Sequence, residues 1–136
     1  MSDPIWVPLQ AVYLIHDRQI ARHGGAGGLR DASLLETAHA RPQNKYVYEQ
    51  ADVMTCAAAY AFGIAKAHAF TDGNKRTAFV VAATFLRLNG FHLCPDPLLG
   101  VRVMEDLAAS KMSETVFRDW LSETATPLPS ESGSKD

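Results

Sequence analysis

Residues 68–79 read HAFTDGNKRTAF and carry the densest set of reactive side chains in the chain. His68, Asp72, Asn74, Lys75, Arg76 and Thr77 fall within ten positions. A histidine can take a proton from a hydroxyl near neutral pH. A carboxylate beside phosphates suits Mg²⁺, which is usually held by one or two carboxylates plus phosphate oxygens. Gly73 allows a backbone shape that brings N–H groups close to a ligand. Lys75 and Arg76 then open an apolar run expected to be helical. A helix start carries positive partial charge, so each cation there costs roughly 0.3–1 kcal/mol. An anion at that point removes the conflict, because backbone N–H groups and both cations would favour a phosphate. Phe70, between polar neighbours, is expected to anchor the loop in the core. The set is base, metal carboxylate and phosphate cradle, the parts of phosphoryl or nucleotidyl transfer.

Each part alone is weak, since short motifs recur by chance. Rival chemistries fit less well. No GxxxxGK[ST] phosphate loop is present, nor a GxSxG elbow. His16, His23, His39, His68 and His92 are scattered, with no HExxH and no paired cysteines for zinc.

The surrounding elements must hold the cluster still. Residues 9–22 predict a helix whose Leu9, Val12, Tyr13, His16 and Ile20 share a face. A glycine-rich loop, HGGAGG at 23–28, follows. Asp31 is a candidate cap for a short helix to about residue 40, with Leu34, Leu35 and Ala38 inside and Pro42 ending it. Tyr46, Val47 and Tyr48 favour extended structure, so residues 44–49 are expected to form an arm. Residues 53–66 and 78–88 are apolar on nearly every side and belong at the centre of a bundle. Asp52 caps the first of these. Asp96 and Pro97 open a further helix, to about residue 111. Ser113 caps the last, with Val116, Phe117, Trp120 and Leu121 facing the core. The expected fold class is all-α: a compact bundle of about six helices with a short extended flap.

The chain's 136 residues suit one domain. A net charge of −2 gives no overall basic field for nucleic acid. Cys56 and Cys94 lie in apolar surroundings and are expected to be buried free thiols of a reducing compartment. The opening residues lack a signal-peptide pattern, and no apolar run reaches membrane length. The expectation is a cytoplasmic domain over residues 1–125. Residues 126–136, rich in Pro, Ser and Gly, are expected to be a disordered tail.

HAFTDGNKRTA resembles the signature of the Fic/Doc family, HxFx[DE]GNxxR, through His68, Phe70, Asp72, Gly73, Asn74 and Arg76. Residues 28–43 (GLRDASLLETAHARPQ) and 85–90 (FLRLNG) are also similar to the Doc branch, and the likeness runs over about residues 16–121. The resemblance implies a helical Fic fold. It implies His68 as general base toward a target hydroxyl, Asp72 as the Mg²⁺ ligand, and Gly73, Asn74, Lys75 and Arg76 as the holders of ATP phosphates. Lys75 is typical of the Doc branch, where Fic adenylylating enzymes usually have glycine. Their second arginine is replaced here by Phe79. The Doc branch implies a toxin of a toxin–antitoxin module: a protein kinase that phosphorylates a threonine of translation elongation factor Tu. It also implies a Phd-like antitoxin partner bound in a groove near the site. The Fic branch implies AMP transfer instead, and a non-catalytic nucleotide-binding protein is a third reading. A family flap that docks targets by strand addition is expected at Lys45, Tyr46, Val47 and Tyr48. No inhibitory [ST]xxxE[GN] segment is found.

Overall fold

A computed structural model describes residues 3–129. Among these residues the order is α1 (Leu9–His23), α2 (Ala32–Glu49), α3 (Val53–Ala67), α4 (Asn74–Leu88), β1 (Phe91–His92), α5 (Pro97–Ala108), α6 (Glu114–Thr124) and β2 (Thr126–Pro127). The fold is all-α with one antiparallel pairing of β1 and β2.

The caps are where the sequence places them. Asp31 accepts from the N–H groups of Ser33 and Leu34, Asp52 from Thr55, Asp96 from Leu99 and Ser113 from Val116. Each satisfies donors that a helix start leaves free. α3 is the centre and packs against α2, α4, α5 and α6. Its alanines at 57, 58, 59, 61 and 65 are buried on several sides, and their small size lets neighbours come close. α1 lies on α4, with Val12 and His16 buried. A strap before α1 closes the other end. Trp6 stacks on Phe85 with ring centroids 5.5 Å apart and meets Tyr46 edge-on at 5.7 Å. The Val7 N–H donates to Tyr60 Oη (3.1 Å).

Several expectations change. α2 does not stop at Pro42 but runs to Glu49, with Pro42 buried inside it. Lys45, Tyr46, Val47 and Tyr48 are therefore helical, and no arm forms there. Tyr46 is held by Trp6 and by a bond to Asp3 Oδ1, and Lys45 by Glu114 on α6. These tertiary contacts outweigh a weak extended preference. Val47 and Tyr48 face solvent, at 66% and 81% exposure. Leu34 and Val116, expected inside, are exposed, because the buried stripes run through Leu35 and Ala38 and through Phe117 and Leu121. Cys56 is buried, but Cys94 is exposed beside α5. Of the expected disordered tail, Thr126 and Pro127 form β2; residues 130–136 lie outside the described residues.

Candidate active site

The loop between α3 and α4 is built from both helix ends. His68 is the C-cap of α3 and adopts the left-handed conformation, φ 50°. Ala69 and Phe70 dip into the core and are buried. The chain re-emerges at Thr71 and Asp72, and Gly73, φ 78°, turns it into α4. Left-handed backbone is cheap for glycine and costs other residues roughly 1–2 kcal/mol.

Asn74 closes the turn. Its side-chain oxygen accepts from the Phe70 N–H (3.1 Å), and its amide nitrogen donates to the Phe70 carbonyl (3.0 Å). The Asn74 side chain is thus a clamp on the loop. What it offers a ligand is its backbone N–H at the helix start. No side chain caps α4, and no acidic residue lies in its first turn. The free N–H groups, Lys75 and Arg76 together make an electropositive end.

The glycine-rich loop after α1 lies against this turn. The Thr71 N–H donates to the Gly28 carbonyl (3.0 Å), and the Arg30 and Asp31 N–H groups donate to the Ala69 carbonyl (2.7 and 3.1 Å). Leu29 and Phe70 pair in an antiparallel bridge. A single antiparallel bridge at Leu29 therefore ties the chain just after the glycine-rich loop to the motif, where the sequence had suggested only a flexible loop over 23–28. Arg76 ties the same loop down by donating to the Gly24 carbonyl (3.0 Å). Gly25, φ 116°, sits so close that a Cβ there would stand 2.6 Å from Asp72 Oδ2.

His68, Asp72, Gly73, Asn74, Lys75 and Arg76 all line one cavity of about 310 Å³, joined by Thr71 and Ala108. His68, Asp72 and Lys75 are exposed to it, and Gly73 is buried in its floor. Lys75 and Arg76 also border a second, apolar groove of about 380 Å³ that includes Phe79, Val80, Leu93, Val101 and Met104. Phe79 thus faces an apolar groove with no cation at its position. Among the described residues no three His, Cys, Asp or Glu side chains gather as a metal cage. Asp72 alone would serve a Mg²⁺ ion that brings its remaining ligands with the nucleotide.

Sequence reasoning missed the parts played by Gly25 and by the 28–30 backbone. It placed His16 on the inner face of α1 without a role. His16 stacks on Phe70 and donates from Nε2 to the Asp72 carbonyl (2.7 Å).

The family model for the Fic/DOC family matches residues 6–86, which spans α1, the glycine-rich loop and the whole motif turn. The chain belongs to the Fic/DOC family. It is 38% identical over 109 residues to the protein kinase doc of Escherichia phage P1, covering 76% of this chain and 86% of that one. It is 42% identical over 98 residues to the toxin Doc of Mycolicibacterium smegmatis, covering 71% of each. Membership accounts for the all-α architecture around the motif. No helix among the described residues is long and apolar enough to cross a membrane.

Proposed function

We propose that this protein is a Doc-like toxin that transfers the γ-phosphoryl group of ATP·Mg²⁺ to a protein hydroxyl. The observation that carries the reading is the uncapped start of α4. Its free N–H groups and two cations share one cavity with an exposed histidine and an exposed carboxylate. The similarity to a protein named as a kinase supports transfer to protein.

In this reading His68 takes the proton of the incoming hydroxyl as the new P–O bond forms, the bond from the γ-phosphorus to the β,γ-bridging oxygen breaks, and ADP leaves. The N–H groups at the start of α4, with Lys75 and Arg76, hold the phosphates and balance their charge. Asp72 binds the Mg²⁺ that accompanies the nucleotide and neutralises phosphate charge. Lys75 fills space where glycine would leave room, which favours the pose that presents the γ-phosphate. Phe79 supplies no second cation for the AMP-transferring pose. The target we favour is a threonine of elongation factor Tu, so translation would stop. The backbone at Leu29, bridged to Phe70 on one side, is where a target segment could lie by strand addition. A Phd-like antitoxin is the expected partner, and the apolar groove beside Lys75 is a fitting place for it. The setting is the cytoplasm, and the domain expected over residues 1–125 extends through β2, which pairs with β1.

The deciding experiment incubates the protein with a cell lysate and ATP labelled at either the α- or the γ-phosphate, with His68→Ala as control. γ-Label on a protein of elongation-factor size, absent with His68→Ala, is the expected result. α-Label instead identifies AMP transfer. No label from folded protein points to a binding module.

A further inference from the structure

We propose that His16 is a positioning residue that aims the Asp72 carboxylate by fixing one peptide plane. The inference rests on the reading of Asp72 given above. His16 is 2% exposed, and its ring lies nearly parallel to Phe70, at 8° with centroids 3.7 Å apart. Its Nε2 is 2.7 Å from the Asp72 carbonyl oxygen. A carbonyl only accepts, so Nε2 carries the proton, and the bond fixes the tautomer. Nδ1 points toward Asp17, whose exposed Oδ1 is 3.9 Å away, too far for a hydrogen bond.

The Asp72 carbonyl belongs to the peptide that joins Asp72 to Gly73. The other end of that plane is the Gly73 N–H, which donates to Asp72 Oδ1 (2.8 Å). One planar unit is thus gripped at its oxygen by His16, and at its N–H it grips the carboxylate. A peptide is flat, so holding the oxygen sets the direction of the N–H. Turning the plane would swing the N–H away and release Asp72 Oδ1. Gly73 makes this a real risk, because glycine permits many backbone shapes. The packing leaves little slack. A Cβ at Gly73 would lie 3.6 Å from His16 Cδ2 and 3.1 Å from Ile20 Cδ1, so α1 backs the turn directly. A buried histidine in an otherwise apolar interface is costly unless bonded. Here its one strong bond goes to the backbone of the carboxylate that the site needs. Outer partners of this kind typically change metal affinity or activity by 10–100-fold when removed.

The test uses two variants. His16→Phe keeps a ring on Phe70 but has no donor; His16→Gln offers an amide N–H at similar reach. In the protein without ligand, the exchange rate of the Gly73 amide is followed by NMR, with the α3 amides as the reference for global opening. Binding of Mn²⁺·ADP is measured in parallel. We expect His16→Phe to speed Gly73 exchange at least tenfold with α3 unchanged. It should weaken Mn²⁺·ADP binding roughly 10–100-fold, and His16→Gln should recover most of both. Unchanged Gly73 exchange in His16→Phe overturns the proposal. So does a parallel loss in both variants, with α3 exchange rising equally, which would make His16 a core residue only. If the parent protein does not bind Mn²⁺·ADP, the nucleotide reading fails while the Gly73 measurement still decides the role of His16.

Discussion

His68 ends α3 in a left-handed conformation that a β-carbon disfavours. Helices more often place Gly or Asn at such a point. Keeping histidine there is a local cost that a base at the mouth of the cavity would justify. His68→Asn is expected to melt at or slightly above the temperature of the parent, because Asn tolerates this backbone. The same variant should lose phosphoryl transfer. A thermal melt and the γ-label assay on one preparation check both halves. Gly25 makes the complementary case. At φ 116°, with Asp72 Oδ2 against it, any side chain both strains the loop and strikes the carboxylate. Gly25→Ala is expected to cut transfer at least tenfold while the melting temperature moves by only a few degrees, since the loop is exposed. Steady-state kinetics beside a melt separate the two effects. The motif residues were legible because their types conflict with a folding-only sequence: two cations sit at a helix start. The strain at His68 and the closeness of Gly25 were not legible, since both depend on where α1 and its loop come to rest.

The helices were read well at their starts and badly at one end. Asp and Ser caps announce themselves locally, so Asp31, Asp52, Asp96 and Ser113 could be named from sequence. Pro42 misled because a proline inside a helix costs about 3 kcal/mol in isolation. In the fold it is buried, and its carbonyl lies 3.8 Å from Cys56 Sγ on α3. Tyr46 and Lys45 then hold the continuation through Trp6 and Glu114. These partners are distant in sequence and invisible to periodicity. Gly63 shows how tightly α2 and α3 meet. A Cβ there would stand 3.3 Å from both the Ala38 carbonyl oxygen and the Ala38 Cβ, neither of which can rotate away. Gly63→Ala gains about 1 kcal/mol of helix propensity but overpacks a site where the cost is typically 1–3 kcal/mol. A net loss of roughly 1 kcal/mol follows, read by urea denaturation.

Across the whole molecule, the core sets a limit at alkaline pH. Burial pushes the Cys56 thiol from 9.0 up to about 11, with the nearby Asp52 carboxylate adding to it. Burial likewise pushes Tyr60 from 10.0 up to about 12. Both groups stay neutral when folded and ionise earlier when unfolded. Their contribution to stability is whole below pH 9, and it is lost as pH rises to about 11 for Cys56 and about 12 for Tyr60. Melting temperature is therefore expected to fall between pH 9 and pH 11. In Cys56→Ala the fall should be shallower over that range, as calorimetry at fixed ionic strength would show. The bundle class was legible from apolar helices. The strap at residues 3–7 was not, because its hold comes from afar. Asn89 accepts from the Ile5 N–H (2.8 Å) and donates to the Ile5 carbonyl (2.9 Å), across 84 positions. This has a consequence for synthesis. Residues 3–7 leave the ribosome long before Phe85 and Asn89, so Trp6 has no complete seat until that later segment emerges. The strap is made early and fastened late, and a pause in translation near residue 85 would leave a tryptophan open to chaperones.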